Sequence, residues 1–216
     1  LDRDFAAFWA ARLSVVPESA RKSVAEFATN ISTFFSGFDA DRVFERLDPG
    51  LDFLVTRTTP TGPDAPIVRL PGFALVMHGK IDPDLQTRWQ AAFQSTIGIV
   101  SIGGGDERRQ PLLQSTMDHK GIAIHSARYL RDPQTGSQRT EYNFTPSFAV
   151  SGHRVILAST IDAARLAIDA FDTPANSEGP EHYGDRIEIH AASAEAILRA
   201  NIETLVEQRM LKGGVS

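Results

Sequence analysis

Three times along this chain an apolar, strand-like run breaks at a small polar residue and resumes as an amphipathic helix. The first unit runs from Phe73 through Ala74, Leu75, Val76 and Met77 to Asp82 and Pro83. The second starts at Val155 and breaks at Thr160, and the third starts at Ile187 and breaks at Ser193. A change of apolar period from 2 to 3.6 across a capping residue marks a strand feeding a helix. Each such unit hides its apolar side only by packing against others. No strict period relates the three, so they do not form a solenoid.

Strand signals fill the space between the units. Residues 51–58 read as a strand followed by a Pro- and Gly-rich loop. Residues 112–117 and 122–129 flank Asp118-His119-Lys120-Gly121, and residues 142–150 and 154–159 flank Ser151-Gly152-His153, so each pair reads as a hairpin. In the first unit Asp82 is the N-cap with Pro83 at the first helical position, and Leu85, Trp89, Ala92 and Phe93 share one face. In the second, Thr160 caps a helix that turns Ile161, Ala164, Leu166, Ile168 and Phe171 inward. In the third, Ser193 caps a helix carrying Leu198, Ile202, Leu205, Val206 and Met210. Hairpins mixed with β–α units predict an α+β fold: a largely antiparallel sheet with helices packed on one face. Phe73, Leu75, Trp89, Phe93, Val155, Leu157, Leu166 and Leu205 are the expected buried cluster.

The first fifty residues read as helical. Phe5, Phe8, Trp9 and Leu13 recur at helical spacing. Val24, Phe27, Ala28, Ile31, Phe34 and Phe35 follow the i, i+3, i+4, i+7 rule, and Gly37 stops them. A third, short helix is expected from Asp39 to Pro49-Gly50, burying Val43, Phe44 and Leu47. The expected organisation is an N-terminal helical segment, 1–50, packed on an α+β domain, 51–216. Trp9, Trp89 and the stripe of Phe27, Phe34, Phe35, Phe38 and Phe44 fit the inward faces of helices better than a ligand groove. The chain opens on Leu1 inside a helical pattern, which reads as part of a longer polypeptide.

Composition narrows the chemistry. With no cysteine there is no disulfide, thiolate zinc site, iron–sulfur cluster or thiol nucleophile. A net charge of −5, with Lys and Arg nowhere concentrated, lacks the footprint that nucleic-acid binding needs. No apolar run reaches the roughly 18–20 residues of a spanning helix. Gly103-Gly104-Gly105 is the nearest approach to a phosphate loop. It opens onto Asp106 and Glu107, which repel phosphate, and Arg108 stands where a dinucleotide motif needs its third glycine.

The six histidines, His78, His119, His125, His153, His182 and His190, form no metal pair at a common spacing. His78 and His190 stand near strand ends that lead into helices, where functional groups gather. There is no G-x-S-x-G elbow. The acidic pairs Asp39/Asp41, Asp82/Asp84 and Asp106/Glu107 fall at caps and loops, their ordinary structural positions. Asn30 and Asn143 open glycosylation-type triplets of the kind that arise by chance. No catalytic residue, cofactor-binding residue or metal ligand is assigned from these patterns, and no cofactor is expected.

Residues 146–150 (Pro-Ser-Phe-Ala-Val), Ser151-Gly152-His153 and residues 155–160 (Val-Ile-Leu-Ala-Ser-Thr) together resemble uncharacterised exported bacterial domains. These carry a strand, a tight turn, a second strand ending in Leu-Ala-Ser, and a helix. Residues 71–76 with Asp82-Pro83, and the closing phrase from Asn201 to Val206 with Gln208, Met210, Leu211 and Gly213, extend the likeness over residues 40–214. The resemblance implies an extracytoplasmic place, periplasmic or in the cell envelope, and brings no site residues. The expected function is a non-enzymatic binding or scaffolding module whose partners are other domains of its parent or another protein, with no nucleic acid and no membrane span. The alternative is a hydrolase whose site is assembled from dispersed loop residues.

Overall fold

The computed structural model describes residues 5–12, 46–57, 66, 68–102, 112–130, 140–172, 186–202 and 206. Among these residues eight strands form one sheet: β1 (Phe5–Arg12), β2 (Leu47–Thr56), β3 (Gly72–Gly79), β4 (Leu112–His119), β5 (Ile122–Tyr129), β6 (Ser147–Ser151), β7 (Arg154–Ala158) and β8 (Arg186–Ile189). Their order is β4-β5-β6-β7-β3-β2-β1-β8, and every neighbouring pair is antiparallel. Three α-helices accompany them: α1 (Pro83–Ile102), α2 (Ile161–Asp172) and α3 (Ala191–Arg199). The chain is an α+β protein with an antiparallel sheet.

The β4–β5 and β6–β7 hairpins are tighter than their sequences predict. β4 and β5 run in unbroken register from Leu112↔Tyr129 to His119↔Ile122, leaving only Lys120 and Gly121 as the turn. Both sit at positive φ, 53° and 78°. That is the primed two-residue turn whose twist matches the strands it joins. Gly152, at φ 57°, opens the equally short Gly152-His153 turn between β6 and β7.

The caps fall largely where their chemistry puts them. Asp82 Oδ1 accepts the Leu85 N–H at 2.8 Å, and Thr160 Oγ1 accepts the Ala163 N–H at 3.1 Å. The third helix differs. It starts at Ala191 with His190 as its N-cap and no side-chain cap, so Ser193 lies inside the first turn.

The helices do not share one face of the sheet. Ala74, Val76, Ile124, Ala149, Ile156 and Ala158 pack against Ala163, Ala164, Ala167 and Ile168 of α2. Met77, Phe148 and Val155 pack against Leu85 and Trp89 of α1, with Phe93 and Leu157 beside them. Adjacent strand residues point to opposite faces, so the two clusters lie on opposite sides. The unbroken apolar runs of β3 and β7 are the signature of strands buried on both faces. The expected single cluster is accordingly divided. Trp89, Phe93, Val155 and Leu157 lie with α1, whereas Leu166 packs on the α2 side. Phe73 is 41% exposed, and Leu198 of α3 is exposed rather than inward. Leu205 and Met210 lie outside the described residues.

The N-terminal reading also changes. Phe5–Arg12 is a strand, held between β2 and β8. Its apolar run satisfies helical and strand spacing alike, and pairing on both sides decides. Leu47, expected at the end of a helix, begins β2, so the boundary expected between residues 50 and 51 falls inside that strand. The aromatic stripe at residues 24–38, and Val43 and Phe44, lie outside the described residues.

Candidate functional site

One row of polar side chains crosses the α2 side of the sheet. Asp52 on β2 shares its face with buried Leu54 and Thr56, and His78 on β3 shares its face with Ala74 and Val76. His78 Nε2 donates to Asp52 Oδ2 at 2.6 Å, which leaves Nδ1 as the ring nitrogen open to a further partner. The register sets His78 opposite Arg154 on β7, and Arg154 opposite Ser151 on β6. Phe171, near the end of α2, meets both. Its ring takes the His78 ring edge-on at 5.8 Å, and the Arg154 guanidinium lies 5.0 Å over its centroid.

A second pair continues the row. His119, at the end of β4, donates from Nε2 to Asp169 Oδ1 at 2.9 Å, and Lys120 reaches the same oxygen at 2.7 Å. Desolvation works to raise the Asp169 pKa, but the hydrogen bonds from Lys120 and His119 outweigh it and hold the carboxyl below its ordinary value. Among the described residues no three His, Asp or Glu side chains converge as a metal-ligand set.

The other histidines stand apart. His125, on the α1 side, stacks on Phe148 at 6.1 Å and bonds Thr116 Oγ1 through Nδ1 at 3.0 Å. Burial lowers its pKa. His153 is exposed in its turn, and His190 caps α3. His182, Gly103-Gly104-Gly105, Asp106, Glu107, Asp39 and Asp41 lie outside the described residues. Asp82 and Asp84 serve the start of α1. Asp82 also pairs with Arg46, and Asp84 holds Arg88 at 2.9 Å. Asn143 is buried and fully engaged, donating to Val68 O at 2.8 Å and accepting from Leu70 N at 3.0 Å.

No sequence motif marks Asp52, Arg154, Asp169 or Phe171 as site residues, because strand register brings Asp52 and Arg154 to His78, while the packing of α2 on the sheet brings Phe171 to His78 and Asp169 to His119. One local signal existed: Asp52 has the parity of Leu54 and Thr56, the buried side of its strand.

A second feature is the β4 edge. The Ala127 N–H bonds Pro146 O at 2.9 Å, so the odd-numbered residues of β5 turn their backbone to β6 and the even-numbered ones turn to β4. On β4 this leaves Leu112, Gln114, Thr116 and Asp118 with N–H and C=O directed off the sheet. Leu112 N finds Ser101 Oγ at 3.3 Å. Residues 113–116 are exposed, and no charge, proline or bulge interrupts residues 112–117. Natural edges are ordinarily blunted by such devices. The opposite edge is short: β8 is four residues long.

No family model, curated protein sequence or solved structure matches the chain. No helix among the described residues is long and apolar enough to cross a membrane.

Proposed function

We propose that this domain is a non-enzymatic binding or scaffolding module of a larger exported bacterial protein, and that β4 is the edge on which it takes a strand from a protein partner or a neighbouring domain. The observation that carries this reading is that β4 is an edge strand among the described residues, with exposed side chains at 113–116 and no charge over residues 112–117. Strand addition draws affinity from main-chain hydrogen bonds and selectivity from alternate side chains. Here Gln114, Thr116 and Asp118 offer the backbone groups, while Leu113, 42% exposed, offers apolar contact on the α2 side. The extracytoplasmic placement belongs to the same proposal and rests on the resemblance over residues 40–214. Nucleic acid is not among the proposed partners, since the net charge of −5 opposes it.

The β4 sequence itself is a suitable probe. Laid antiparallel about Ser115, a second β4 strand sets Gln114 opposite Thr116 in a hydrogen-bonded pair and Leu113 opposite Met117 on one face. A synthetic octapeptide of residues 112–119, titrated into isotope-labelled domain, should shift and protect the amides of Gln114, Thr116 and Asp118. Thr116→Pro removes one outward N–H, a change edge strands tolerate, and should weaken binding about tenfold. Unmoved β4 amides at about millimolar peptide would remove the support for this reading.

The hydrolase alternative is favoured by one observation, the 2.6 Å His78–Asp52 pair, which orients an imidazole as general bases require. A base needs a nucleophile or positioned water within reach. Release of p-nitrophenol from a simple ester, abolished by His78→Ala, would move this reading ahead of the module.

A further inference from the structure

We infer that Arg154 and His78 form a subsite for a small oxyanion, a carboxylate or a phosphate, on the α2 side of the sheet. The argument starts from how the neighbouring charges are used. Asp52 is engaged by His78 at 2.6 Å, and Asp169 is engaged by His119 at 2.9 Å and Lys120 at 2.7 Å. Both acids of the row are therefore taken by other groups. Arg154 forms no ion pair with any described residue, and its guanidinium lies over the Phe171 ring.

That ring does more than cover the charge. A guanidinium set over an aromatic face is attracted through its charge and still has N–H groups directed away from the ring, which can match two oxygens of a carboxylate or phosphate. The same ring fixes His78 edge-on at 5.8 Å, and the register places His78 directly across from Arg154. With Nε2–H committed to Asp52, His78 presents Nδ1 as an acceptor for a ligand hydroxyl such as that of hydrogen phosphate, whereas a carboxylate, which has no hydroxyl, would be held by the Arg154 fork. Ser151, opposite Arg154 on the other side, adds a hydroxyl on the same face. Two fixed polar groups on one aromatic support lower the ordering cost of binding. The subsite is independent of the β4 edge, and either stands without the other.

The test is a titration of labelled protein with inorganic phosphate and, separately, with acetate, each against chloride at matched ionic strength. Arg154 Nε–H and His78 ring signals should move saturably at about millimolar ligand. A response to phosphate alone assigns a phosphate-bearing ligand, one to acetate alone a carboxylate, and one to both a general oxyanion site. Arg154→Lys keeps the charge and most of the stem but loses the fork, and should weaken binding about tenfold. Unperturbed His125 and Phe148 signals would show that this variant keeps its fold. If neither anion moves the two residues beyond the chloride control, or if Arg154→Lys binds as tightly as the parent, the inference is overturned.

Discussion

His125 shows how a single ring can record the packing around it. Half-buried and stacked on Phe148 at the rim of the α1-side core, it loses hydration, and the charged form suffers most, so its pKa falls below the ordinary imidazole value. Protonation then favours the unfolded chain, which binds the proton at the ordinary pKa of about 6.5. The stability linked to this group is complete above that value and is lost as pH falls through the lower, folded pKa. Asp82 is also depressed, chiefly by the Leu85 N–H and then by Arg46, and so is Asp169, but carboxylates act in a separate window, below their ordinary value of 3.8. Urea unfolding at about pH 7.5 and about pH 5.5 should therefore show a loss on acidification that His125→Gln reduces. An equal loss in the variant would place the sensitivity elsewhere.

At the scale of the element, β7 is the strand that reads both faces at once. Val155 and Leu157 turn to α1, while Ile156 and Ala158 turn to α2. Ile156 is fully buried, so Ile156→Ala should cost about 2–5 kcal/mol through lost transfer energy and the cavity left behind. Leu157 is only partly buried, so Leu157→Ala should cost less, about 1–2 kcal/mol. Denaturant midpoints of the two variants decide the order, and a larger loss at Leu157 would mean that the α1 side carries more of the fold. The same strand shows what sequence can and cannot give. Its apolar run marks it as a strand, and Thr160 marks the helix after it. That the run is unbroken, with no polar alternation, is the local sign of a second covered face, and the one-face expectation passed over it.

Across the whole molecule, legibility follows the range of the interaction. The central strands, the hairpins and the first two caps rest on residues close in sequence, and they were readable. Phe5–Arg12 was not, because only pairing with β2 and β8 separates strand from helix there. The His78–Asp52–Arg154 row was half readable: His78 by its place at a strand end, its partners only through register. Least legible is a pair of asparagines that close the fold over one short segment. Asn143 takes Val68 and Leu70, while Asn201 accepts from Arg69 N and donates to Arg69 O, both at 2.7 Å, across 132 residues of sequence. Each amide imitates a strand's donor–acceptor pair for a stretch of chain that lies in no strand of its own. Asn201 also donates to Ile197 O at 3.0 Å, which ties the segment to α3. It is 8% exposed, so Asn201→Ala would leave the Arg69 backbone groups without these bonds, at a cost of about 1–3 kcal/mol. Asn201→Asp separates geometry from chemistry, since it keeps the acceptor for Arg69 N and sets a carboxylate against the Arg69 carbonyl. It should be at least as destabilising as alanine. Hydrogen exchange gives the sharper readout: in both variants Arg69 should lose protection ahead of β3 and β7. If Arg69 stays as protected as the central strands, Asn201 is not what holds residues 68–70 to the molecule.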